Sequence, residues 1–360
     1  MLSVFYIICS SIPMFVCAFW AIVFSVNYRR LHLIKKILFW FMLTATSLYF
    51  GHFIVFNHIE SLIPLTDTVY SLATLSVYPL FYLYILSLTD TIKKRHLLLL
   101  LPGALIAATI GVCYAGMSGG TLRSLILHIL YDEGPLPSVS ACRISMTAHL
   151  LMKYVILAEV LCILPAGFYK LSVFRKKVRK YYSNTRHRDM KGIRNLLRAF
   201  LVTSCLSILA DMIGRTFFID SIILLIAVLV PFSTMLFLIG YIGHIQTFTI
   251  DDLRIEEQKV NALACMDNIS GQGIQEEIRL RREELKENLS HLMTEKKLFL
   301  NPDLKLSDVA RILNSNRTYV YEALKCNDAL SFTDYVNRFR IAYSISLLKQ
   351  GNKTIEEIYY

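Results

Sequence analysis

The sequence predicts an all-α chain: a seven-helix transmembrane bundle, then a helical connector, then a small, incomplete helix-turn-helix domain. Three observations carry this reading. The 360 residues are 55% hydrophobic and 18% charged, and the apolar excess sits in runs too long for buried core helices of a soluble enzyme. The charge is unevenly shared: residues 1–250 hold 22 basic and 9 acidic side chains, residues 251–360 hold 16 and 18. The net +11 of the chain therefore belongs to the apolar part, beside membrane spans, and is no nucleic-acid footprint. Near the C-terminus, apolar residues recur at helical spacing on either side of a tight-turn signal.

A membrane-crossing helix needs about 20 mostly apolar residues. Seven such stretches lie near 2–26, 37–56, 69–88, 97–117, 149–171, 196–214 and 221–245. Arg29, Arg30, Lys35 and Lys36 follow the first span, and Lys93, Lys94 and Arg95 follow the third. The loop after the fifth reads FRKKVRKYYSNTRHRDMKGIR. The loops after the second and sixth spans share one arginine. The positive-inside rule then places the N-terminus outside and residues 246–360 in the cytoplasm of a multi-pass inner-membrane protein in contact with membrane lipid. The first span has no basic region ahead of it and no small-residue cleavage site, so it is expected to stay as an anchor.

Within the spans, Pro13, Pro79, Pro102, Pro165 and Pro231 read as ordinary kinks. Ionisable residues at membrane depth are costly and usually face the bundle interior, which makes His52, Glu159 and Asp211 the candidate ligand-binding residues. Asp211 has a second reading, a helix-surface pair with Arg215 at i+4. The last span contains no lysine, which excludes a retinal-like Schiff base. No C-x-x-C pair or Cys/His cluster points to a metal, and nothing points to a cofactor. Cys113 and Cys142 can pair in an oxidising compartment. The longest outside loop, 118–148, carries TLRSLILHILY, a short amphipathic helix that either senses a signal or packs on the bundle as a lid.

From Asp251 the composition turns polar. Ile274, Ile278, Leu285, Leu289 and Leu292 form a helical stripe, preceded by Gly271 and Gly273. Two readings stay open: a helix that pairs with its copy in a homodimer, or one that packs on the domain after it. The expected domains are 1–245, 246–283 and 284–360.

In NPDLKLSDVARILNSNRTYVYEALK, Leu306, Val309, Ala310 and Leu313 face inward on a first helix. Asn314 and Ser315 make the turn, and Asn316 caps a second helix with Val320, Ala323 and Leu324 inside. Arg317, Thr318, Tyr321, Glu322 and Lys325 face out, where a recognition helix meets the major groove of double-stranded DNA.

This order, followed by S-F-x-x-Y-V-N-R-x-R-I and then T-I-E-E-I, closely resembles the AraC/XylS family of transcription regulators from Glu284 to the end. The resemblance implies two helix-turn-helix units joined by a long helix. Arg317, Thr318, Tyr321, Glu322 and Lys325 stand at the DNA-facing positions of the first unit, and Phe332–Lys349 is the joining helix, with Arg340 as a structural bridge. Glu322 departs from the basic or neutral residue common there; beside phosphates it is repelled unless it accepts from a cytosine amine. The second recognition helix is not present before Tyr360, so a shortened form of a longer protein is expected.

The function expected is a membrane-bound one-component transcription regulator that senses a small-molecule or envelope signal through its spans. A ligand preferring one of two bundle packings would change the spacing of two connector helices in a dimer. The alternative is a transporter or signal-binding protein whose shortened tail no longer binds DNA; its supporting sign, an internal repeat of spans, is not seen. A sensor kinase fails for want of a nucleotide loop and of length, and no catalytic residues are found.

Overall fold

The computed structural model describes residues 2–26, 28–30, 32–131, 133–185, 188, 190–213, 222–255, 258, 275–315, 319–320, 323–324, 331–351 and 354–359. Among them the chain is helical, with one isolated bridge and no strand. The helices are α1 (Leu2–Ser25), α2 (Leu33–Phe56), α3 (Ile63–Thr89), α4 (Leu101–Ala115), α5 (Gly119–Tyr131), α6 (Ser140–Tyr181), α7 (Lys191–Ile213), α8 (Ile222–Ile245), α9 (Gln275–Thr294), α10 (Leu306–Ile312), α11 (Phe332–Lys349) and α12 (Ile355–Tyr359). Seven helical segments, built on α1 to α4 and α6 to α8, are long and apolar enough to cross a membrane.

Two compact units result: Met1–Leu171 with Lys191–Thr247, and Ser172–Met190 with Phe248–Tyr360. The first, the membrane unit, centres on α3, whose Tyr78 and Phe81 pack on Phe200 of α7 at ring distances of 5.1 and 4.7 Å. Glycines set its closest helix approach. A Cβ on Gly240 of α8 would fall 2.3 Å from the Trp20 ring of α1, and one on Gly243 would fall 2.4 Å from Leu38 of α2. Hydroxyls in the spans bond back to the helix, as Thr46 to the Met42 carbonyl and Thr89 to the Ile85 carbonyl, which satisfies them without a partner from outside the helix.

Three expectations need correction. The fifth span is not 149–171 but part of a 42-residue helix, about 63 Å long and twice the hydrocarbon thickness. Its end, Phe174–Tyr181, is the start of the supposed loop; lysines and arginines there are good helix formers and do not stop it. Residues Ser172–Met190 group with Phe248–Tyr360 in one compact unit. Cys113 and Cys142 are free thiols, and the Cys142 sulfur points instead to Met117 Sδ at 3.8 Å. Pro102 stands in the first turn of α4, where no hydrogen bond is lost, whereas Pro13, Pro79, Pro165 and Pro231 are interior.

The second, polar unit has one core: Leu289 and Met293 of α9, Phe299, Leu304, Leu306, Val309 and Ala310, Val320 and Leu324, and Phe332, Tyr335 and Val336 of α11. Leu289 of the α9 stripe thus packs on the residues that follow it, and Leu285 and Leu292 are buried as well. Ile274 lies outside the described residues, as does the side chain of Ile278.

Candidate functional site

In the membrane unit three polar side chains from three helices converge on one oxygen. Asp67 stands in the second turn of α3, at the end remote from Lys93, Lys94 and Arg95. Its Oδ2 accepts from Tyr114 Oη of α4 at 2.7 Å and lies 3.0 Å from His149 Nε2 of α6. The other imidazole nitrogen, Nδ1, lies 2.8 Å from the Ser145 carbonyl. Asp67, Tyr114 and His149 are all buried. An apolar wall of Leu75, Ile110, Leu125 and Met152 surrounds Tyr114.

His52 reaches the same region. With Gly51, Val55, Ile63, Thr66 and Tyr70 it lines a cavity of about 10 Å³ that Asp67 also borders. That volume holds about one water molecule and no organic ligand. The His52 ring stacks on Phe56 at 5.7 Å and meets the Tyr70 edge at 5.1 Å. Gly51 makes room for this, since a Cβ there would sit 2.9 Å from the Tyr70 ring.

Helix α5 covers this end. Its Leu125 joins the cluster around Tyr114, while Ile126, Leu130 and Tyr131 pack on Ile54 and Ile63. Tyr131 donates to the Val55 carbonyl at 2.9 Å and its ring stacks on His58 at 4.8 Å. Arg123 pairs with Glu60 at 3.0 Å. The loop is therefore packed on the bundle, as in the lid reading.

Of the residues expected at a ligand site, His52 is at this cavity. Glu159 is not: it stands ten residues beyond His149 on α6, about 15 Å further along the axis. It is buried, and its Oε2 has no hydrogen-bond partner among the described residues. Asp211 lies on α7, but its side chain and Arg215 are outside the described residues.

The polar unit is held by a second constellation. Past the end of α6, Tyr182 forms an antiparallel bridge with Lys305, and the Ser183 amide donates to the Leu304 carbonyl at 3.1 Å. Thr333, in the first turn of α11, donates to the carbonyls of Tyr182 at 2.6 Å and Arg179 at 3.1 Å. Asp334 beside it pairs with Arg179, and Ser331 caps the helix by accepting from the Asp334 amide at 3.2 Å. Arg188 pairs with Asp303 at 3.1 Å and lies over the Tyr182 ring at 4.6 Å.

Arg340 ties the pieces together. Its Nε donates to the Phe299 carbonyl at 2.7 Å, and Nη2 donates to the Asn301 carbonyl at 2.8 Å and to Ser183 Oγ at 3.2 Å. The fixed fork of a guanidinium suits these divergent acceptors, which a lysine cannot serve together. Burial lowers its pKa from the ordinary arginine value.

Around the expected turn, Asn314 has φ +43°, the left-handed region, and the Ser315 amide donates to the Ala310 carbonyl at 3.0 Å. Leu306, Val309 and Ala310 before it, and Val320, Ala323 and Leu324 after it, are buried. The expected DNA-facing residues Arg317, Thr318, Tyr321, Glu322 and Lys325 all lie outside the described residues. No group of three or more metal-ligating side chains occurs among the described residues. No family model, curated protein or solved structure matches the chain.

Proposed function

We propose that the chain is a membrane-bound one-component transcription regulator of the cytoplasmic membrane. Its N-terminus is outside, its spans receive a signal, and its polar unit binds double-stranded DNA in the cytoplasm through Arg317, Thr318, Tyr321 and Lys325, with Glu322 tuning base choice. The observation that carries this reading is the company residues 172–190 keep. This stretch holds seven lysines and arginines and one acid, the densest basic run beside any span, and it shares one compact unit with the C-terminal residues. The rule that puts basic loops inside thereby puts the whole polar unit on the side where DNA is.

Further support is local. Two sets of buried apolar residues flank a left-handed Asn314, the pattern of two short helices meeting at a tight turn. A charge-balanced reading head binds weakly by counterion release alone, since residues 299–360 hold 8 basic and 7 acidic side chains. Specificity then rests on base contacts and on bringing two copies together. Helix α6 contributes residues to both units.

A reporter enzyme that works only in the cytoplasm, fused after Thr247 in one strain and after Tyr360 in another, tests the placement. Activity in both fusions is expected. Activity of the opposite reporter, one that works only outside, contradicts the reading.

A further inference from the structure

We propose that Lys94, Arg95 and His96, with Leu97, Leu98 and Leu101 beside them, form a binding site for one anionic phospholipid: the headgroup phosphate on the three polar side chains, the acyl chains on the leucines. The inference stands on the membrane unit alone and holds whatever the polar unit binds.

The first observation is positive charge that no acid answers. Asp90, just past the end of α3, is the one acid between Asp67 and Asp132. It is already engaged: its Oδ2 accepts from Lys170 of α6 at 2.6 Å and its Oδ1 from the Thr91 amide at 2.8 Å. Lys94 and Arg95 are exposed and pair with no acid among the described residues. Arg123, by contrast, holds Glu60 at 3.0 Å. Cations beside the hydrocarbon layer attract anionic headgroups, and these two have no competing partner among the described residues.

His96 adds a donor. The Lys93 amide donates to its Nδ1 at 3.1 Å, and the His96 amide donates back to the Lys93 carbonyl at 2.9 Å. An amide N–H can only donate, so Nδ1 presents a lone pair and the ring hydrogen is on Nε2. Nε2 bonds to nothing among the described residues. Lys93, Arg95 and Lys170 lie within electrostatic reach of the ring, so an anion that accepts from Nε2 sits in the field of three cations.

The same turn supplies the apolar half of the site. Lys94–Leu100 is a 3₁₀ helix that runs straight into α4. Side chains three apart eclipse one another in such a helix, so Leu97 follows Lys94 along the axis, Leu98 follows Arg95, and Leu101 opens α4. At 53%, 65% and 50% exposure these leucines are left uncovered by the bundle. The turn joins α3 to α4, both long and apolar enough to cross a membrane, and so lies at headgroup depth. A cationic end above a column of exposed leucines matches a phospholipid; a free phosphate has no use for the leucines.

The test is native mass spectrometry of the full chain in detergent after incubation with phosphatidylglycerol, with phosphatidylcholine of the same acyl chains, or with glycerol phosphate. Phosphatidylglycerol is expected to be retained roughly tenfold better than phosphatidylcholine, and glycerol phosphate not at all. Lys94→Gln with Arg95→Gln, both exposed and harmless to the fold, should lower that preference by roughly threefold or more. Lys176→Gln with Lys177→Gln removes the same charge elsewhere and should leave it intact. His96→Leu removes the Nε2 donor from a neutral ring and should weaken retention, and His96→Gln, which keeps an acceptor and an N–H, should restore it. Equal retention of the two lipids by the native chain overturns the proposal, as does retention of glycerol phosphate as firm as that of the lipid. So does a preference unchanged in Lys94→Gln with Arg95→Gln, or unchanged in His96→Leu, or lost equally in the Lys176 and Lys177 control.

Discussion

The two units solve opposite problems with polar bonds. In the membrane unit, hydroxyls mostly satisfy themselves on their own helix, and the Asp67 contact between helices stands among apolar neighbours. In the polar unit, many partly exposed bonds share the task of attaching residues 179–188 to Asp303–Lys305 and α11. The first arrangement concentrates sensitivity on one carboxylate. The second spreads load, so that only the residue common to several bonds, Arg340, is hard to replace.

That difference orders the expected effects of substitution. Arg340→Ala should be the largest in the polar unit, because the carbonyls of Phe299 and Asn301 lose their donor in a half-buried site. A loss of about 3 kcal/mol is expected, seen as faster proteolysis of the unit in the full chain. Arg340→Lys should recover little of it. Equal stability of both variants and the native chain would show that the attachment is incidental.

In the membrane unit the largest effect should come from packing. Gly240→Ala forces a methyl to within 2.3 Å of Trp20, and overpacking of this kind costs about 1–3 kcal/mol. It should lower the thermal midpoint in detergent, and Trp20→Leu in the same chain should restore part of the loss. Next come two matched deletions of a single hydroxyl. Thr333→Val should cost about 1–2 kcal/mol, since it orphans two carbonyls. Tyr114→Phe should cost nearer 0.6 kcal/mol, the average for interhelical bonds in membranes. Reversal of that order would undo the contrast between the units. The smallest effect is expected from Arg179→Ala. Its pair with Asp334 is 41% and 29% exposed, worth no more than about 1 kcal/mol, and weaker still in salt.

Alkaline pH offers an independent handle on the polar unit. Burial pushes the Tyr335 hydroxyl up to about 12. A raised folded-state value means its contribution is complete below pH 10, the ordinary tyrosine value, and is lost as pH climbs toward 12. Tyr335→Phe should flatten the fall in stability over that window, measured by urea midpoint.

Much of the architecture was legible because it depends on length and period. Runs of about 20 apolar residues find the spans, and the positions Leu306, Val309, Ala310, Val320, Ala323 and Leu324 announce their burial by helical spacing. Asn314 announces its left-handed turn by residue type. Two things were hidden. The cytoplasm-like charge of FRKKVRKYY reads as loop, although lysine and arginine propagate a helix as well as leucine does, so the length of α6 was missed. The polar cluster was hidden by distance. Asp67 lies in a stretch that reads as a turn before the third span, and its partners are 47 and 82 residues away. Only His52, Glu159 and Asp211, inside evident spans, stood out. A carboxylate in the first turns of an apolar helix, with a histidine and a tyrosine at matching depth on other spans, is the signal that would have found it.

The proposed function requires the polar unit to read DNA while attached to its membrane bundle. The most direct measurement is selection from a pool of random duplexes by the full chain in lipid nanodiscs at low salt, with the Arg317→Ala and Lys325→Ala double variant in parallel. Enrichment of one sequence by the native chain and its loss in the variant are expected. Retention that is equal for all sequences, or equal for the native chain and the variant, would contradict it.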